Sequence, residues 1–288
     1  MGLFLRSRNN YTWRANQRER HSFDRGLFYW VLVRHRLPSM WRYFSACVYA
    51  EAIRRDDTLY LGQSILERCF RSLEARDAIG IQFYIPQNNN TRDTIMYHFD
   101  YLTLLLAGAF DAQARIARRA YRIEQPNERM TGFRRQEFLN ALRNHGANAL
   151  YNIVSGQYYQ DLMTLLHELR NTIHGAGLPT LSYQDRASPE QSFVTILSEH
   201  RDALWRAAER CGLPEKWGLI RMHEALFEPY TYAVTLVDEC FRQIDAITAA
   251  TDVTRLFPDE HAIPPLQDGP PDDNVFGEHI RKRLAILG

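Results

Sequence analysis

Arg170, Asn171 and His174 bring a guanidinium, a carboxamide and an imidazole together within one turn or so of chain. Leu162, Leu165, Leu166, Leu169 and Ile173 recur around them at helical spacing. Residues 157–174 therefore read as a helix with one apolar face. On that helix Arg170 and His174 share a face, with Asn171 beside them and His167 earlier on the same stripe. Gly175, Gly177 and Pro179 then stop the helix. The group has the chemistry of a phosphodiester site. Cleaving RNA through its 2′-hydroxyl needs a base, an acid for the leaving 5′-oxygen, and positive charge on the phosphorane. His174 titrates near neutrality and can carry the proton. Arg170 can clamp the non-bridging oxygens, and Asn171 can orient the phosphate or the imidazole. His167 offers a second proton carrier. This chemistry calls for no metal and no cofactor. The plainer reading is that Arg and His near a helix C-terminus serve its last carbonyls and its dipole.

The elements around this group read as helical. The stripe Ile95, Phe99, Leu102, Leu106, Ala109, Phe110, Gln113 and Ala117 predicts one long helix over residues 91–121. Its far half carries Arg115, Arg118, Arg119 and Arg122, and the helix precedes the motif helix by one element, so these arginines are candidate RNA contacts. Asp100 and Asp111 project on a similar side of it. Residues 59–73 predict another helix, and residues 79–85 alternate as a short extended segment would. Asn88-Asn89-Asn90 reads as a turn. Residues 133–154 read as a helix broken or bent near Gly146. Ser188-Pro189-Glu190-Gln191 reads as the start of a helix running to about Arg210. A short helix over 215–227, a longer one over 229–249, an irregular acidic Pro-rich tail and a small basic helix over 280–287 complete the series. The fold class expected is all-α, a multi-helix bundle with extra N- and C-terminal helices. The expected division is an N-terminal helical region with a basic arm (1–90), a helical domain (91–250) and the tail (251–288).

Composition narrows the function without setting it. The chain has 288 residues and is 45% hydrophobic, enough for a sizeable core. The net charge of +1 gives no global field toward nucleic acid or membrane. Of 35 basic residues only Lys216 and Lys282 are lysine; codon bias explains that more simply than RNA binding does. Cys47, Cys69, Cys211 and Cys240 lack metal-ligand or Cys-x-x-Cys spacing and read as buried thiols of a reducing compartment. Arg6, Arg8 and Arg14 interrupt any signal-peptide core, and no apolar run approaches a membrane span. The expected location is the cytoplasm. No phosphate-binding Gly-x-x-x-x-Gly-Lys loop and no dinucleotide fingerprint occurs. His223-Glu224 lacks the following histidine of a zinc-protease helix.

The sequence Arg170-Asn171-Thr172-Ile173-His174-Gly175 resembles the signature of HEPN domains, the all-helical domains of bacterial toxins and defence ribonucleases. That signature is an Arg, commonly followed by a polar residue, with four to six residues before the His; here three intervene. The resemblance implies that Arg170 and His174 act together, with Asn171, in a metal-independent endoribonuclease of a toxin-antitoxin or antiviral system. It implies a homodimer that brings two copies of the motif to one groove, and an antitoxin or defence-complex protein as a further partner. Some HEPN-like domains are catalytically silent. The alternative expectation is therefore a helical module that binds a protein or RNA partner in a larger assembly.

Overall fold

The longest helix, Asn89–Ala120, starts at a cap written into the three asparagines. The Asn88 side chain accepts from the backbone N–H of Asn90 (2.9 Å) and Thr91 (3.1 Å), and Thr91 Oγ1 accepts from the Asn88 N–H at 2.7 Å. This reciprocal box satisfies donors that a helix start leaves open. In chain order, the computed structural model has helices α1 (Met40–Arg54), α2 (Thr58–Phe83), α3 (Asn89–Ala120), α4 (Gln136–Asn144), α5 (Asn148–Val154) and α6 (Gln157–Gly175). Strands β1 (Thr180–Tyr183) and β2 (Phe193–Leu197), helix α7 (Arg201–Arg210) and a 3-10 turn at Pro214–Trp217 follow. Strands β3 (Leu219–Arg221) and β4 (Ala225–Phe227), helix α8 (Pro229–Ala250) and a 3-10 turn at Val253–Leu256 complete it. The structure describes residues 29–30, 32–54, 57–85, 88–124, 130–175, 178, 180–183, 193–197, 201–221, 225–259, 261–266 and 268. The basic arm (1–25), the Ser188-Pro189 helix start and the 280–287 segment lie outside these residues.

The expected multi-helix bundle forms, and α3 is its axis. Every residue of the stripe from Ile95 to Ala117 is buried. Ile65, Cys69 and Leu73 of α2 join Leu102 and Leu106 of α3 and Leu236 and Ile244 of α8 in one apolar core. Gln113 is the polar member of that stripe. Fully buried, it donates to the Ile244 carbonyl (2.8 Å) and Thr248 Oγ1 (2.9 Å), which ties α3 to α8. Tyr232 on α8 reaches the Leu165 carbonyl at 2.7 Å and ties α8 to the motif helix. Two buried carboxylates complete the framework. Asp161 on α6 is clasped by Arg210 of α7 through two bonds of 2.7 and 2.6 Å. Glu239 on α8 accepts from Lys216 at 2.7 Å and from Tyr158 and Arg242. All four cysteines are buried and none is in a disulfide; burial pushes the Cys69 and Cys211 thiols up to about 12, so both stay protonated. Among the described residues no helix is long and apolar enough to cross a membrane.

The departures from expectation have local causes. Residues 79–83 continue α2 instead of forming an extended segment. The alternation of Ile79, Ile81, Phe83 and Ile85 does not alternate burial: Ile79 is fully buried, while Ile81 and Tyr84 are 63% and 76% exposed. The helix persists because Gly80 seats the Tyr230 ring; a Cβ at Gly80 would lie 2.7 Å from Tyr230 Cε2. The break at Gly146 separates two helices. Gly146 adopts φ +77°, and the Ala147 N–H closes on the Leu142 carbonyl at 2.9 Å, a left-handed stop that glycine permits.

The larger correction is a small sheet beside the bundle, which the all-α expectation lacked. Its strands run in the order β1-β2-β4-β3, each pair antiparallel. The helix expected up to Arg210 is strand β2 followed by the shorter α7, because Phe193-Val194-Thr195-Ile196 is β-branched and aromatic and pairs with both β1 and β4. The helix expected over 215–227 is instead a 3-10 turn and a β3–β4 hairpin pair. Gly218, at φ +67°, redirects the chain there, and a Cβ at that position would crowd Thr231 Cβ (3.0 Å) and the Glu228 carbonyl (3.1 Å). The sheet is sealed to the bundle by aromatics. Phe227 of β4 lies 4.4 Å, centroid to centroid, from Tyr232 and 5.7 Å from Phe99, and Trp217 lies 5.5 Å from Tyr232.

Candidate functional site

Helix α6 forms where the leucine spacing places it, and its apolar face fixes where its polar stripe points. Leu162, Leu165, Leu166 and Leu169 are buried, so His167, Arg170, Asn171 and His174 fall along the opposite, outward stripe. Asn171 and His174 are exposed; His167 and Arg170 are half-buried. Thr172 turns inward on its own helix, its hydroxyl donating to the Glu168 carbonyl at 2.9 Å. The motif trio thus sits together at the end of α6, with His174 at the rim.

His167 lies in a different environment. Burial, with the positive charges of Arg134 and Arg170 adding to it, pushes its imidazole down to about 3. It is neutral throughout the physiological range and a very weak base. The unfolded chain keeps an ordinary histidine near 6.5. Below that value the unfolded state takes up a proton that the folded state refuses, so stability falls as pH drops from about 6.5 toward 3. Urea unfolding at pH 7 and pH 4.5 should show this loss, and His167→Gln should shrink it. An identical loss in the variant would place the acid sensitivity elsewhere.

A second helix and a loop supply the rest of the surface. Asp111 of α3 keeps an exposed edge, yet crowding by surrounding protein raises its carboxyl above the usual range, against the pull of Arg170, then Arg115 and Arg68. The Arg170 charge therefore acts on both the Asp111 carboxylate and the His167 ring. Arg134, in the segment before α4, lies 3.8 Å from Glu168 and faces the same stripe. Arg68 comes across from α2. Its Nε donates to Ser64 Oγ at 3.0 Å, and its guanidinium lies flat over Gly108 of α3. The result is a face where the charges of Arg68, Arg115 and Arg170 act on Asp111 and those of Arg134 and Arg170 act on His167.

Of the candidate RNA contacts, Arg115 is the one whose charge acts on Asp111. The other three hold parts of the fold together. Arg118 donates to the Ile123 carbonyl at 3.2 Å. Arg119 forms an ion pair with Asp57. Arg122, held at φ +52°, pairs with Asp259 at 2.9 Å and so fastens the chain after the Val253–Leu256 turn. Arg134 belongs to the arginine-dense stretch 111–143, whose signal was its charge, and the sequence reading passed over Arg68. Arg68 carried an indirect one: Gly108 stands in the interior of a long helix, where glycine is disfavoured unless another group approaches closely. Among the described residues no three His, Cys, Asp or Glu side chains are placed to hold a metal ion together.

Comparison of the chain with protein-family models, with curated proteins and with solved structures returns no match.

Proposed function

We propose that this chain is a catalytically silent helical module that binds RNA through the arginine face of α3 and α6. One observation carries the reading: the charges of Arg115 and Arg170 act on Asp111 and those of Arg134 and Arg170 on His167, so guanidinium groups from three separate elements serve one stretch of surface, with Glu168 beside Arg134 as a second carboxylate. Arginine forks suit phosphate oxygens, and side chains packed against Asp111 and His167 are partly ordered before a ligand arrives, which lowers the entropic cost of binding. Asn171 and His174 extend the face with further hydrogen-bonding groups. Silence follows from the proton chemistry. Transesterification of RNA uses an acid and a base, and of the two imidazoles on this stripe His167, held near 3, can act as neither at neutral pH.

A second reading, a metal-independent endoribonuclease acting as a homodimer, is favoured by one feature: His174 is exposed one turn beyond Arg170. In that case a second copy would supply the missing imidazole. Incubating the protein in EDTA with labelled single-stranded RNA tests both. Salt-sensitive binding with intact RNA is the outcome expected of the module. Cleavage that disappears in His174→Ala is the outcome expected of the nuclease.

A further inference from the structure

We infer that Arg68, on a helix remote in sequence from the motif, is a further phosphate-contact residue of this face, and that Gly108 is present to seat it. The inference rests on the RNA-binding reading above and names a residue that neither the motif nor the arginine run of α3 contains. On α3, Gly108, Asp111 and Arg115 occupy successive turns of one face. Arg68 reaches that face by lying where a side chain at position 108 would begin. An ideal Cβ on Gly108 would stand 2.2 Å from one terminal nitrogen of Arg68, 2.6 Å from its central carbon and 3.1 Å from Nε. Any residue but glycine displaces the guanidinium.

The placement also orients the group. The Ser64 hydroxyl accepts from Nε at 3.0 Å, which leaves the two terminal nitrogens as the donors for a ligand. Their charge is felt at Asp111, together with that of Arg115 and Arg170. Arg170, Arg115 and Arg68 all pull on the Asp111 carboxylate, although crowding outweighs them and raises its carboxyl; a phosphodiester of bound RNA beside them would meet the same positive charges. A purely structural role would also ask for glycine at 108, since any side chain laid there would meet a Cβ; the charge of Arg68 is what the RNA-binding reading uses.

The test measures binding of a fluorescein-labelled single-stranded RNA by anisotropy across a salt series, for wild type, Arg68→Ala, Gly108→Ala, Arg68→Lys and Arg170→Ala. Circular dichroism and thermal melting verify folding. Gly108→Ala keeps every charge and meets only the flexible end of Arg68, so it should fold while moving the guanidinium. Arg68→Ala and Gly108→Ala should each weaken binding about tenfold and flatten the log–log salt slope by about 0.7, the loss of one phosphate contact on a single strand. Arg68→Lys should retain the slope better than Arg68→Ala. If Arg170→Ala weakens binding while Arg68→Ala and Gly108→Ala leave it unchanged, the role of Arg68 is overturned and the RNA-binding reading stands. If the wild type shows no salt-dependent binding, both fall together.

Discussion

Phe99→Ala should lower the stability of the folded chain by about 3–5 kcal/mol, the usual cost of emptying a fully buried aromatic site. Phe99 has no exposed surface, and its ring lies 5.7 Å from Phe227 and 6.0 Å from Tyr232. It is the point where the helical axis, the sheet and α8 meet. Typical domains are stable by about 5–15 kcal/mol, so the variant should unfold at a much lower urea concentration. Phe99→Leu, which leaves a smaller void, should lie between it and wild type. An alanine variant within 1 kcal/mol of wild type, a limit of about one weak contact, would mean that the sheet is not sealed to the bundle through these rings.

The second large effect concerns binding. Arg115→Ala with Arg170→Ala should reduce affinity for single-stranded RNA about a hundredfold near 0.1 M salt, about tenfold for each lost charge-assisted contact. The salt slope should fall by about 1.4. Both side chains lie on the outward surface of their helices, so the double variant should retain its circular dichroism. Arg122→Ala is the matched control. It removes the same charge two residues beyond the end of α3, but its partner is Asp259, so RNA affinity should change little while the attachment of residues 257–259 loosens. Equal losses from Arg122→Ala and Arg170→Ala would indicate diffuse charge attraction in place of a defined face.

What the sequence made legible follows from length and periodicity. The α3 and α6 helices each repeat their apolar spacing over several turns, and the asparagine turn ahead of α3 supplies the cap that fixes its start. Those two helices placed Arg170, Asn171, His174 and Arg115 on outward stripes before any coordinates were known. The sheet was illegible for the opposite reason. Its strands are short, and β2 finds its partners in β1 and in β4, which lies beyond a whole helix. A run such as Phe193-Val194-Thr195-Ile196 reads equally as one helical turn or one strand until a partner is known. Charge was the least reliable guide. Arg115, Arg118, Arg119 and Arg122 look like one basic face in the sequence, yet Arg118 turns to the nearby Ile123 carbonyl, and Arg119 and Arg122 pair with the remote acids Asp57 and Asp259. His167 looked like a proton carrier by spacing alone; its burial beside two arginines, which makes it a poor one, is a property of the packed helices.

The most direct test of the RNA-binding account is a single titration. Radiolabelled single-stranded RNA is incubated with rising protein in EDTA, and each sample is run on both a native and a denaturing gel. The account predicts a shifted complex that weakens steeply with salt, RNA of full length throughout, and loss of the shift when Arg115 and Arg170 are both replaced. Fragments on the denaturing gel that vanish with His174→Ala, or an absence of any shift at low salt, would contradict it.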